Sequence, residues 1–434
     1  MLEERRFRRP ATPDLVRPWQ KKGTDAMSPF RRPPRALWVL LGAALAVRLL
    51  VIAVDTSFDV LVQPNIALFH HQRVSALVTA WFNGHPTISI AKVTPPAVTT
   101  STMRVLVAYL LAPFYVLFTP IFDFTPIVGR IAITVYSLTL GPLTYLLASE
   151  LGLTERMSLV ASGVTLFWPS VFYRSIVIQR EIFVGMVLLV TVLLCARWAN
   201  SGVNLPESTS VLDHKSTVAI QTAAFAIFAV ASATMWFLRP ENLLIIGVVV
   251  LGSSTIRYYN EIWGLVATAA IMVVGTMVVR IVGFGTFIGG EAYISPSQID
   301  EFAHARAHGS AAYLVWLHYQ SWFDIVLFAP VKIVYLLGSP MPWRVNNLTQ
   351  LLAGVSGWLL LAVTLVAIYG VASVIWVETR VEWQAVAVLA TFLIVGIGSY
   401  AIIEMNAGAA FRRRTQFVPG IMVLASIGFA SIQN

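Results

Sequence analysis

Charged residues are scarce in this chain: Asp, Glu, Lys and Arg make up 12% of its 434 residues, while 57% are hydrophobic. A soluble protein carries about 25% charged residues, because its surface must face water. At half that share, with a mean hydropathy of +0.75, the dominant solvent is lipid, which excludes an ordinary soluble domain. Cysteine is nearly missing as well. Cys195 stands alone inside an apolar run, so neither an intramolecular disulfide nor a thiolate metal cluster can form. The apolar runs lack period-two alternation, which excludes a lipid-facing barrel and leaves helices as the spanning element. No repeat of short fixed period is visible. There is no Gly-rich phosphate loop, no zincin His pair with Glu and no dinucleotide fingerprint. Chemistry driven directly by a cytosolic nucleotide therefore has no support.

What is present is an uneven distribution of charge. Residues 1–36 hold ten Lys or Arg against four Asp or Glu, so they supply six of the nine net positive charges. These basic residues immediately precede the first apolar run. That is the positive-inside pattern, and it predicts a disordered cytoplasmic leader followed by an uncleaved anchor. Attraction to anionic headgroups accounts for the cluster, and no nucleic-acid partner is implied.

The remainder, 37–434, reads as an all-α, polytopic transmembrane bundle of about nine to eleven spans, each near the length of about 20 residues that a helix needs to cross. Spans are expected at 37–54 (containing Arg48), 127–148, 157–173, 182–196, 218–238, 242–256, 262–280, 348–376, 384–403 and 415–431. Two large outer loops are expected at about 55–126 and 281–346. Within the first, 66–83 has a narrow polar face and is expected to lie along the membrane. The proline-broken segments 105–122 and 323–337 either cross or lie at the interface. If both stay at the interface, "YRSIVIQRE", "LRPE" and both loops share the outer face, and so does Arg412–Arg414. An arginine triplet outside runs against the positive-inside rule. Either one short segment crosses, or those arginines face outward because they bind an anion.

Several residues could carry chemistry. Asp55 and Asp59 follow the first span, where a carboxylate shielded from bulk water can act as a general base; they can equally be solvated residues ending a helix. Glu181 opens a span, where the helix dipole favours a carboxylate. Arg174 and Arg180 beside it, with Arg239 in the second turn, suit bidentate phosphate recognition. Arg412, Arg413 and Arg414 form either a basic anchor or a clamp for a phosphate leaving group. His70 and His71 point to different helix faces, so one of them at most joins a given site, and His70 is the candidate. In the second loop, Ser295-Pro296-Ser297-Gln298 is a helix start that Gly309 can end. On that helix Asp300, His304 and His308 share a face and could ligate a metal, although an Ala-rich exposed helix often carries such residues by chance.

The basic leader, one span, a long acidic outer loop, "WPSVFYRSIVIQRE", "LRPE", "GSPMPW" and "NAGAAFRRRTQFVP" together resemble membrane glycosyltransferases of the GT-C superfamily, of the polysaccharide-cluster type. The resemblance covers nearly the whole chain. It implies sugar transfer from a polyprenyl-phosphate-linked donor, at the outer face of a plasma or inner membrane, to a lipid-linked, glycan or protein acceptor. It further implies Asp59 or Asp55 as general base, Glu181 as a second acid, and arginines on the lipid phosphate. A divalent metal, magnesium or manganese, is the one cofactor left open. An O-antigen-polymerase or ligase-type enzyme, which needs arginines and no acidic base, is the alternative enzyme. A transporter or flippase of lipid-linked substrate and a non-catalytic envelope scaffold are the remaining alternatives.

Overall fold

The structure, a computed structural model, describes residues 33–58, 65–84, 106–200, 228–258, 295–307, 309–346, 348–376 and 381–432. The leader 1–32, Asp59, His308 and the expected span 262–280 lie outside the described residues. Among the described residues there is no strand beyond one isolated bridge, Ala312 to Asn406. The chain is an all-α, multi-pass membrane protein.

Five helical stretches are long and apolar enough to cross a bilayer. They are α1 (Arg35–Phe58), the paired α4 (Pro126–Ser137) and α5 (Leu140–Glu150), α8 (Glu181–Asn200), α13 (Leu348–Trp376) and α14 (Trp383–Ile403). A sixth is bent by 64° between α15 (Ala407–Arg414) and α16 (Val418–Ile432). Shorter helices fill in around them: α2 (Asn65–Phe82), α3 (Leu106–Phe122), α6 (Glu155–Phe167), α7 (Pro169–Ser175), α9 (Phe228–Leu238), α10 (Asn242–Tyr258), α11 (Pro296–His304) and α12 (Trp322–Gly338). The spans expected at 157–173 and 415–431 are therefore interrupted or preceded by breaks. Pro169 ends α6, because the residue before a proline is forced out of the helical region, and Trp168 sits at ψ 128. The last span is preceded by a separate helix, α15, started by Asn406, whose side chain accepts from the Gly408 and Ala409 amides.

Contacts between helices fix which end is which. Leu41 packs at Gly141 while Asp55 meets Arg130, so α1 runs antiparallel to α4–α5 and starts at the Glu150 end. At that end Arg197 pairs with Glu150, and the Glu382 amide donates to the Leu151 carbonyl. The ends of α1, α7, α9 and α14 and the starts of α4, α8, α10 and α13 gather at the opposite end. Both ends of α12 also lie there: Tyr319, just before it, donates to the Ile402 carbonyl, and its last carbonyls accept from Arg414. Lys332, midway along it, reaches the Glu404 carbonyl at the same end, so the segment 323–337 lies along that face. Glycine sets the closest approach in the bundle. A Cβ on Gly428 of α16 would fall 2.3 Å from the Val366 carbonyl oxygen of α13, and one on Gly370 of α13 2.5 Å from the Leu424 carbonyl oxygen of α16, so only a hydrogen fits between these backbones.

Candidate functional site

The site is built on the segment joining α7 to α8. Arg48, fully buried in α1, donates to Ser175 Oγ at 2.6 Å and to the Ala44 and Leu166 carbonyls at 3.0 and 2.6 Å. Thr134 donates to the Ser175 carbonyl and Arg130 to the Ile176 carbonyl, each at 2.9 Å. These bonds hold the coil 176–180 in place, so that Glu181 begins α8 at a defined position. Residues 182–196 of α8 carry no charge, and Glu181 sits at the N-terminal rim, where the helix dipole favours a carboxylate.

The two turns anticipated from sequence meet there. Arg180 Nη1 donates to the Leu238 carbonyl at 2.8 Å, and Arg239 Nη2 lies 3.1 Å from Glu181 Oε1 with both side chains buried. From Arg239 an alternating chain of charge runs across the face. Arg239 Nε is 3.7 Å from Glu241, Arg413 is 3.1 Å from Glu241 and 3.6 Å from Glu404, and Arg306 is 3.7 Å from Glu404. Tyr400 lies under the Arg413 guanidinium, 4.6 Å from ring centroid to Cζ, and bonds to Asn242. Asn242 in turn donates to Gln416 at 3.3 Å, tying α10 to the end of α15. Burial pushes the Glu241 carboxyl up, but Arg239, Arg413 and Arg180 outweigh it and hold it at about 2, so it remains a carboxylate.

The three consecutive arginines have three different fates. Arg414 is fully buried and donates to the Leu337, Ser339 and Ala353 carbonyls at 2.6, 2.7 and 2.7 Å, fastening α15 to α12 and α13. It was expected to bind substrate; its geometry is that of a structural clamp. Arg413 belongs to the ion-pair chain. Arg412 makes no hydrogen bond or ion pair among the described residues, and it lies close enough to Glu181 for their charges to interact. Arg174 stacks between Tyr173 and Phe411, 5.2 and 5.1 Å from their ring centroids, and donates to Gln179. Its Nε, like Arg239 Nη1, is buried and finds no hydrogen-bond partner among the described residues. Around one face, then, stand six arginines (174, 180, 239, 306, 412, 413) and three glutamates (181, 241, 404).

Arg174 also borders a cavity of about 550 Å³, lined mainly by apolar side chains including Phe172, Tyr313, Tyr335, Leu352 and Phe411. Two hydroxyls on its wall, Tyr313 Oη and Ser356 Oγ, are buried without a hydrogen-bond partner among the described residues. Burial pushes the Tyr313 phenol well above its ordinary value, so it stays a proton donor.

Other expected residues sit elsewhere. Asp55 pairs with Arg130 at 2.8 Å, both buried, in the wall that carries the Ile176 carbonyl. His70 is buried on α2, edge-on to Phe69. Asp300 and His304 are joined by His318, with ligand atoms within 4.8 Å of one another. The helix carrying them, started by the expected Ser295–Gln298 capping box, ends at His304 rather than Gly309. The His304 and His318 rings stack at 4.3 Å with planes 2° apart. Lone pairs lying in two parallel planes do not converge on one ion, and both His304 nitrogens face backbone carbonyls, of Asp300 and Val315. As placed, this trio clasps the loop 305–318 onto α11. Sequence reasoning missed Glu404, Glu241 and Arg306. Glu241 adjoins Arg239 in the same turn and Glu404 closes a long apolar run, the one signal that could have marked them.

Set against protein-family models, curated proteins and solved structures, the chain matches none.

Proposed function

We propose that this protein is a membrane glycosyltransferase of GT-C type. It moves a sugar from a polyprenyl-phosphate-linked donor to a lipid-linked, glycan or protein acceptor at the outer face of a plasma or inner membrane. The observation that carries the reading is the set of arginine donors left without partners around Glu181, beside an apolar cavity at the same end of the bundle. A lipid-linked phosphate calls for both features: charge-assisted N–H donors for its oxygens and an apolar space for its chain. Departure of the phosphate gains from arginines already held in position, and an oxocarbenium-like sugar gains from a nearby carboxylate. Sidedness rests on the basic residues 1–36, which precede the start of α1 at the end remote from the arginines.

The test is sugar transfer by membranes containing the full chain and supplied, in parallel, with a polyprenyl-phosphate sugar and a polyprenyl-diphosphate sugar. Glu181→Gln should lower the rate by about 100-fold or more, in the range of one acid–base group. Wild-type rates in Glu181→Gln and Asp59→Asn alike would remove the acid–base assignment. One observation favours a second reading: Asp55 is held by Arg130 and Glu181 by Arg239, and a carboxylate in a buried ion pair is a weak base. A polymerase or ligase-type enzyme working through arginines alone predicts that Arg412→Ala stops glycan extension while both carboxylate changes are tolerated.

A further inference from the structure

The arginine face holds more positive charge than one phosphodiester can match. Arg174, Arg180, Arg239, Arg306, Arg412 and Arg413, with Lys332 at the Glu404 carbonyl, stand against Glu181, Glu241 and Glu404, an excess of four charges at a partly buried face. Such an excess in a low-dielectric setting is costly unless an anion completes it. The donors still available are also spread over more than one group. They are Arg174 Nε beside the apolar cavity, Arg239 Nη1 in the turn between α9 and α10, and the whole Arg412 guanidinium on α15. Arg174 and Arg239 are 6% and 3% exposed, so their orphaned N–H groups point into the protein rather than to solvent. Arg239 touches Glu181, and Arg174 and Arg412 lie close enough for their charges to act on it.

We infer that the ligand of this face is a prenyl diphosphate, linked to its sugar in the donor and free in the product, rather than a prenyl monophosphate; this rests on the glycosyltransferase reading above. A sugar joined through a monophosphate diester carries one negative charge, and through a diphosphate two. When the sugar C1–O bond breaks, its electron pair stays on the phosphate oxygen, the acceptor oxygen bonds to C1, and the acceptor proton passes to water. The departing diphosphate then carries close to three negative charges at neutral pH, nearer to the excess than the about two of a departing monophosphate. Arg174 Nε, Arg239 Nη1 and the guanidinium of Arg412 offer donors from three elements, more than the two free oxygens of a phosphodiester take up. The prenyl chain enters the cavity beside Arg174.

The test is equilibrium binding to the purified full chain in detergent, with farnesyl diphosphate, farnesyl monophosphate and inorganic diphosphate as probes. Farnesyl diphosphate should bind at least tenfold more tightly than either of the others. Arg412→Ala should weaken farnesyl diphosphate by about tenfold and erase its advantage over the monophosphate, and Arg412→Lys should restore part of it. Equal binding of the two farnesyl probes would overturn the diphosphate assignment and leave the glycosyltransferase reading standing. Inorganic diphosphate binding as tightly as farnesyl diphosphate would overturn the lipid-linked ligand. No binding of any probe would sink both.

Discussion

Two buried carboxylate–arginine regions lie at the same end of the bundle, and they are built on opposite principles. In the α1–α4 wall, Asp55 and Arg130 form one balanced pair at 2.8 Å, and the second nitrogen function of Arg130 is taken by the Ile176 carbonyl. Arg48 beside it has no carboxylate, but its donors are taken by a hydroxyl and two carbonyls. In the α8–α9–α15 face, each glutamate touches an arginine, yet Arg412 is left over and Arg174 and Arg239 keep orphaned N–H groups. A region whose donors are all answered from within the protein holds the fold together. A region with donors to spare, next to an apolar cavity, is arranged for something that arrives from outside. Arg130 Nη2 is answered by the Asp55 ion pair rather than by a hydrogen bond, so net charge alone does not separate the two regions; hydrogen bonds and ion pairs counted together do.

The largest effect follows from breaking the balanced side. Arg130→Ala breaks the buried ion pair with Asp55 from one side and removes the bond to Ile176, which should cost about 3–5 kcal/mol. The variant should express poorly or unfold early in a thermal scan in detergent. Asp55→Asn with Arg130→Gln should recover most of that loss, since neither side chain is then a buried charge. Arg412→Ala is the contrast. It removes a cation with no partner, so thermal stability should hold within about 0.5 kcal/mol or rise, while ligand binding falls. If Arg412→Ala instead melted as early as Arg130→Ala, the distinction between the two regions would fail.

Much of the arginine face was legible in the sequence because membrane chains confine charge to their turns. Arg174, Arg180, Glu181 and Arg239 sit in two short polar interruptions between apolar runs, and a bundle whose intervening segments cross in pairs must bring such turns to one end. The break at Pro169 was legible only as a proline, not as an end to α6, because composition does not say whether a span kinks or stops. Pairings across 172 residues, such as Arg413 with Glu241, carry no periodic signal. The different fates of Arg412, Arg413 and Arg414 follow from their 100° steps around a helix whose orientation only tertiary contacts define. His318 could not be nominated beside Asp300 and His304, because the loop that returns it has no regular geometry to extrapolate.

Smaller effects separate the regions further. Ser175 Oγ accepts from Arg48 Nε and donates to the Phe172 carbonyl, both at 2.6 Å. Ser175→Ala leaves a buried guanidinium N–H without its acceptor and should cost about 1–3 kcal/mol, read as a lowered midpoint in denaturation. On the other side, acid titrates the ion-pair chain. The folded Glu241 carboxyl lies at about 2 against an ordinary 4.5. Its stabilising contribution is therefore complete above pH 4.5 and is lost as pH falls toward 2. Thermal scans at stepped pH should show that decline in the wild type and a flatter profile in Glu241→Gln. A decline of equal slope in both would assign the acid sensitivity to another group.

The smallest expected change is also the sharpest discriminator, because it compares two buried hydroxyls. Tyr313 is 3% exposed, lines the cavity and has no hydrogen-bond partner for its Oη among the described residues. Deleting an unanswered polar group from an apolar site removes a desolvation penalty and leaves no orphan behind. Tyr313→Phe should accordingly leave the melting temperature unchanged or slightly raised, opposite in sign to Ser175→Ala. If the hydroxyl is there for a ligand, the same variant should weaken binding of a prenyl probe by several-fold, as the loss of about one hydrogen bond of 0.5–1.5 kcal/mol does. A destabilised Tyr313→Phe with unaltered binding would mean that the hydroxyl serves the fold, and the cavity would then belong with the answered side of the molecule.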